Sequence, residues 1–290
     1  LDVMQLQSKG QVIVPTGGGK TMCMIEDAKI QFTENNISKT IVVVAPRILL
    51  AQQLCEDFLE QNLDGNYNVG VDVLHVHSGE THHTSTTKID LIRQWVGDNV
   101  GNKIIFTTYH SLHKLMYSDV FVDTIYFDEA HNSVQKNFVE ATEYHSMYAN
   151  RCYFFTATPK HSKTPFKIGM NDEDIYGKVL VNVPAPQLVE QGVILPPKVT
   201  IKKIDVVDDS RFKHEHDCDH VVSTIDEIDT DKVLICARST KQIVSLVSQS
   251  DFCIELRNRG YSWMFITAKT GAVVDGKKVD RESFFNTLNE

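Results

Sequence analysis

The chain has 290 residues, of which 42% are hydrophobic and 23% charged, and its formal net charge is −9. That length is too great for one small domain and points to two, built from an ordinary globular composition. The acidic surplus is shared by both halves, which argues against a protein that coats duplex nucleic acid with a basic face, so any nucleic acid must be gripped in a local groove.

Taken along the chain, short β-branched runs alternate with helical patterns. Strands are predicted at 11–14, 40–45, 71–76, 103–107, 122–128 and 152–156, and helices at 20–33, 47–61, 85–96, 111–117 and 134–141. In the second helix Leu50, Leu54 and Phe58 recur every four residues and mark a buried face. Ile41-Val42-Val43-Val44 and Ile104-Ile105-Phe106 are apolar throughout, as when both faces of a parallel sheet are covered. The pattern predicts an α/β domain with right-handed crossovers and its ligands at the carboxyl ends of the strands.

A boundary is expected at 184–198, where Pro184, Pro186, Pro196 and Pro197 flank a short helical stretch from Gln187 to Gln191. Residues 1–183 then form the first domain, 184–198 a linker and 199–290 part of a second α/β domain. In that second part strands are predicted at 199–207, 233–237 and 263–267, with helices from Ser239 and from about Asp280. Trp95 and Trp263 lie on apolar faces and are expected in cores. The histidine- and acid-rich stretch His214-Glu215-His216-Asp217-Cys218-Asp219-His220 would put metal-ligating types on one face of a strand, but a solvated polar excursion is the plainer expectation. His75, His77, His82 and His83 are expected to be solvated around a loop. Six scattered cysteines without a CxxC pair suggest free thiols in a reducing, intracellular compartment. No apolar run reaches the roughly 20 residues of a membrane span, and Leu1-Asp2-Val3-Met4 does not read as a signal peptide.

Two segments carry chemistry. Pro15-Thr16-Gly17-Gly18-Gly19-Lys20-Thr21 follows a strand and opens a helix. Converging backbone N–H groups in such a glycine loop cradle phosphate oxygens, Lys20 can reach the β- and γ-phosphates, and the Thr21 hydroxyl can ligate Mg²⁺. Asp128-Glu129-Ala130-His131 ends a later strand; Asp128 is placed to hold Mg²⁺ and Glu129 to polarise the attacking water. Jointly they predict a site for ATP and Mg²⁺.

These residues resemble a superfamily 2 helicase or translocase. The glycine loop resembles motif I, with Val14 where the general pattern has its first glycine, and Asp128-Glu129-Ala130-His131 resembles motif II in its DEAH form. Phe155-Thr156-Ala157-Thr158-Pro159 resembles motif III, Val44-Ala45-Pro46-Arg47 with Leu49, Gln52 and Gln53 motif Ia, Thr107 to Leu112 motif Ib, and Val233 to Ser239 motif IV. The TATP form and the proline-rich linker are similar to the branch of type III restriction subunits and phage or large-virus DNA helicases.

The resemblance implies two RecA-like P-loop domains, the second incomplete, and a nucleic-acid-dependent ATPase coupling hydrolysis to DNA unwinding or translocation. It implies that His131, Thr156, Ala157 and Thr158 couple hydrolysis to domain movement. It places Pro46, Arg47, Gln52, Thr108, Tyr109 and Ser111 along a nucleic-acid track, with Tyr109 as a base-stacking candidate. Single-stranded or duplex nucleic acid is the expected partner, DNA before RNA, with no membrane and with a nuclease or replication partner left open. A DExH-type RNA helicase, a motor subunit of a restriction complex and a nucleotide-binding module without turnover are the alternatives. Motifs V and VI are not found before Glu290, so the arginines that act on the γ-phosphate are expected outside the chain; so is the adenine contact, since Gln5 and Gln7 sit too close to the glycine loop.

Overall fold

Eight parallel strands form a single sheet in the order β4-β3-β5-β2-β6-β7-β1-β8. They are β1 (Lys9–Ile13), β2 (Thr40–Ala45), β3 (Val71–Val76), β4 (Thr84–Ser85), β5 (Asn102–Thr108), β6 (Thr124–Phe127), β7 (Arg151–Thr156) and β8 (Val179–Asn182). The computed structural model describes residues 1–33, 37–63, 70–79, 81–164, 166–196, 198–204, 212–228, 232–267 and 270–289. They fall into two compact units, Leu1–Pro197 and Lys198–Glu290.

In the first unit the helices are α1 (Asp2–Leu6), α2 (Lys20–Thr33), α3 (Ile48–Leu63), α4 (Ile89–Asp98), α5 (Leu112–Ser118), α6 (Val139–Tyr148), α7 (Glu173–Tyr176) and α8 (Ala185–Glu190). Alternate residues of each strand point to opposite faces. Ile41, Val43 and Ala45 of β2 therefore meet Met24, Ile25 and Ala28 of α2 and Leu54 and Phe58 of α3, in one core. Val42 and Val44 meet Leu112 and Leu115 of α5 and Ala141 of α6 in the other, where Trp95 also packs. Two cores explain why the central strands are apolar on both faces.

Some local expectations change. Leu50 is not on the buried face of α3: it is 37% exposed, and Ala51 and Cys55 join Leu54 and Phe58 instead. His75 and His77 are not solvated but buried. The His75 ring stacks on Phe106 at 5.5 Å, and its Nδ1 lies 2.9 Å from His77 Nε2. Because the Gly79 amide donates to His77 Nδ1, the His77 proton is on Nε2 and is donated to His75 Nδ1. The His75 proton is then on Nε2, which is buried with no partner among the described residues.

Burial and the neighbouring rings push the His75 pKa down to about 4, and burial alone does the same for His145, also to about 4, against a hydrogen bond to the Leu112 backbone. Both rings fold as neutral groups, so the unfolded chain binds the extra protons. Their contribution is complete above about pH 6.5, is lost as pH falls through the folded values near 4, and for His145 amounts to roughly 3 kcal/mol. Urea midpoints measured across this window should fall with pH, and the fall should flatten in a His75→Phe/His145→Phe double variant.

In the second unit α9 (Lys213–Glu227), α10 (Thr240–Gln249) and α11 (Phe252–Asn258) close a small core of Cys218, Val222, Ile225, Leu246, Phe252 and Leu256, with Trp263 against it. The stretch His214 to His220 is therefore helical, not extended. Positions four apart meet on a helix, which brings His216 Nε2 to 3.1 Å from His220 Nε2, and no group of three or more metal-ligating side chains forms among the described residues. The strand predicted at 263–267 is β9 (Met264–Thr267), paired antiparallel with β10 (Gly271–Val274), which pairs in turn with β11 (Lys277–Val279). Asp275 and Gly276 join the last two, both with positive φ (46° and 85°), as a two-residue hairpin turn requires. Helix α12 (Arg281–Asn289) follows.

Residues 233–237 form no strand: among the described residues none lies alongside to complete a ladder, and Leu234 is 89% exposed. The strand predicted at 199–207 is absent over 199–204, and its remainder lies outside the described residues.

Candidate nucleotide site

The strand order β6-β7-β1 decides the geometry. It sets β7 between the strand that feeds the glycine loop and the strand that feeds the acidic pair. Ile13 pairs with Thr156 and Phe127 with Phe154. Beyond the ends of the strands, the Val14 amide donates to the Thr156 carbonyl and the Asp128 amide to the Val44 carbonyl. The three segments that sequence reasoning singled out thus emerge side by side at one sheet edge.

The loop from Pro15 to Gly19 is shaped by its glycines. Gly17 and Gly19 have φ of 78° and 86°, a region costly for other residues. A Cβ on Gly18 would stand 2.5 Å from Val14 Cγ1 and 2.8 Å from Leu188 Cδ1. The Gly18 amide turns back to the Pro15 carbonyl, and Lys20 Nζ lies 3.3 Å from the Val14 carbonyl oxygen. Thr21 stands one residue into α2, half-buried.

Asp128 and Glu129 follow β6 directly. Burial and the adjoining Glu129 charge push the Asp128 pKa up to about 6, with the Glu129 backbone hydrogen bond and Lys20 opposing them. A carboxylate that holds its charge with difficulty between another carboxylate and one lysine is suited to a divalent cation. Glu129 has φ 45° and ψ 52°, a left-handed conformation that costs a bulky residue about 1 kcal/mol or more. Asn132 holds it there, its side-chain amide and its backbone amide both donating to the Glu129 carbonyl.

His131 bridges the acidic segment to the TATP segment on the intervening strand. Its Nε2 faces the Asn132 side-chain amide, a donor, so the ring proton sits on Nδ1. Nδ1 is 3.2 Å from Glu129 Oε2 and 3.0 Å from Thr156 Oγ1. The same hydroxyl accepts from the Thr158 amide at 3.1 Å. Burial first, then the Lys160 and Lys20 charges, hold the His131 pKa below its ordinary value, with Glu129 opposing them. Ala157 lies between the two threonines, half-buried.

The other expected residues divide. Arg47 is exposed at the start of α3, and Pro46, Gln52 and Ser111 are half-buried. Thr108 and Tyr109 are corrected: they are 4% and 1% exposed, so neither presents a surface to nucleic acid. Tyr109 instead donates its hydroxyl to the Asp128 carbonyl at 2.8 Å and stacks on Phe127 and Phe138. A tyrosine after an apolar strand reads equally as a surface ring or as a buried one with a polar tip, and only the tertiary partner distinguishes them. Asn132 was missed, although an Asn capping a turn three residues after Glu129 is a local signal. Gln5 donates to Asp27, a structural partner.

A model of the family described as type III restriction enzyme, res subunit, matches residues 2–161, a span that holds the glycine loop, the acidic pair and the TATP segment. No curated protein matches the chain. Among solved structures, a nuclease-deletion mutant of the Type ISP restriction-modification enzyme LlaGI, in complex with a DNA substrate mimic, is 19% identical with a TM-score of 0.56, over 80% of this chain and 22% of that one. The ATP-dependent Type ISP restriction-modification enzyme LlaBIII bound to DNA is 19% identical with a TM-score of 0.52, over 65% of this chain and 15% of that one. The likeness is one of fold, a RecA-like parallel sheet, and the chain spans less than a quarter of either enzyme's length.

Proposed function

The chain belongs to the family of type III restriction enzyme res subunits, and on that footing we propose that it is the ATP-hydrolysing part of a superfamily 2 motor that moves along or unwinds DNA. The observation that carries this is the His131 bridge, which ties Glu129 beside Asp128 to Thr156 on the intervening strand.

The amides of residues 17–19 and Lys20 would hold the phosphates of ATP, and Thr21 and Asp128 the Mg²⁺ ion, which when bound neutralises phosphate charge. Glu129 would orient water and take its proton. His131 keeps the Glu129 carboxylate in place by donating from Nδ1, and the Thr156 hydroxyl passes any shift of that ring to the Thr158 amide. Arg47 and Ser111, with Pro46 and Gln52, are the first-unit residues left to meet a nucleic-acid backbone. DNA is favoured over RNA because the two Type ISP enzymes of similar fold were solved with DNA or a mimic of it. Residues 1–183 form the motor's first domain and 184–198 lead to part of a second, with α8 at the start of that stretch packed into the first unit through Leu188.

ATPase rates should be measured on a chain extended beyond Glu290 through the second motor domain, with single-stranded DNA, duplex DNA and RNA. Stimulation by DNA is expected. Turnover indifferent to every polymer would exclude a motor, and preference for RNA would replace a DNA helicase with an RNA one.

A further inference from the structure

One basic segment stands out in an acidic chain. Lys160, Lys163 and Lys167 follow the TATP segment, with His161 among them and no Asp or Glu between residues 157 and 171. Among the described residues none of the three lysine side chains makes a hydrogen bond or ion pair. Phe166, between the second and third, is 100% exposed.

The segment is closed at a neck. The Met170 amide donates to the Lys160 carbonyl at 2.8 Å. The Asn171 side chain clasps Ser162 from both sides, accepting from its amide at 2.7 Å and donating to its carbonyl at 3.1 Å. Gly169 is buried in this neck, and a Cβ there would lie 2.2 Å from the Ser162 amide nitrogen. Ser162 Oγ also accepts from the Thr164 amide. The acidic residues that follow begin past the neck, where Asp172 caps α7.

The geometry points to residues 160–164 and 166–170, held at this neck, as a contact for single-stranded nucleic acid in which Phe166 stacks on a base and Lys160, Lys163 and Lys167 meet the flanking phosphates. This rests on the reading of the chain as a nucleic-acid motor. An aromatic face flanked by cations matches the alternation of base and phosphate along a single strand. A neck already closed before binding spares that part of the ordering entropy on doing so. Its position adds a consequence: the Lys160 charge is already felt at His131, so a strand that draws Lys160 away alters the charge around the hydrolytic bridge.

Binding of a labelled oligo-dT of about 20 nucleotides to the 290-residue chain, followed by anisotropy across a salt series, tests it. Phe166→Ala should weaken binding roughly tenfold. The triple Lys160→Ala/Lys163→Ala/Lys167→Ala variant should lower the slope of log affinity on log salt by about 2. Fluorescence of Phe166→Trp should be quenched on adding the oligonucleotide, a readout that loss of fold would not produce. If the wild-type chain binds and these variants bind equally, the loop is not a contact and the motor reading stands. If the wild-type chain binds no oligonucleotide, the motor reading fails and the inference with it. Phe166-dependent binding to phosphatidylserine vesicles, with none to oligo-dT, would overturn the assignment in favour of a membrane patch.

Discussion

Replacing Glu129 with Gln in a chain extended through the second motor domain is expected to lower ATP hydrolysis by about 10²–10⁴-fold, the usual loss when a positioned general base is removed. Nucleotide binding should change little, because the role proposed for Glu129 is toward the attacking water and not in the phosphate cradle. The substitution keeps size and hydrogen-bonding reach, so His131 Nδ1, now 3.2 Å from Glu129 Oε2, retains an acceptor. Lys20→Ala should behave differently. It removes the cation that opposes the carboxylates at Asp128, so binding of a fluorescent ATP analogue should weaken along with turnover. The comparison separates the roles: a Glu129→Gln chain that loses affinity as Lys20→Ala does would mean that the carboxylate is structural and that another group activates water.

The second large effect lies away from the nucleotide. Asp27 is fully buried on α2 and takes four hydrogen bonds, from Gln5 Nε2 (2.7 Å), Arg151 Nη2 (2.8 Å), Gln31 Nε2 (2.7 Å) and the Tyr126 hydroxyl (2.5 Å). Arg151 also donates to the Met4 carbonyl, as does the Tyr153 hydroxyl. One carboxylate therefore ties α1, α2, β6 and β7 together. Asp27→Ala leaves the partly buried Arg151 guanidinium without its anion and is expected to destabilise the first unit by about 3–5 kcal/mol, read as a lower urea midpoint. Asp27→Asn, which retains one acceptor oxygen, should cost less. A loss under about 1 kcal/mol for the alanine variant would place the pair among surface ion pairs of little consequence.

That network marks the limit of what could be read without coordinates. Runs such as Ile41-Val42-Val43-Val44 announce themselves because a covered parallel strand admits nothing polar, and the glycine loop because phosphate chemistry constrains residue types. Asp27 sits in a helix where an acid ordinarily faces water; only the crossing of α2 over β6 and β7 buries it. Tyr109 and His75 have the same ambiguity, being amphipathic rings after or within strands, and their burial comes from Phe138 and Phe106, remote in sequence. The stretch from His214, expected as a solvated polar excursion, is helical because Cys218, Val222 and Ile225 share one buried face, and two of those three lie beyond the polar pattern. Residues 233–237 have strand composition but no ladder partner among the described residues. The Asp275-Gly276 hairpin carried a legible signal that went unused.

The pinning of both chemical segments to neighbouring strands has a consequence for the lifetimes of individual protons. The Val14 amide is locked onto β7 and the Asp128 amide onto β2, in two ladders of the same sheet, although both residues belong to loops. Loop amides ordinarily exchange with solvent deuterium through small openings, whereas amides at the heart of a sheet wait for cooperative unfolding. These two should exchange on the slow schedule of the sheet, while those of Gly17 and Gly19, beyond it, exchange on the fast one. The chemical edge of the molecule would then divide between a slow foundation and a fast rim, with the change occurring within three residues of Val14.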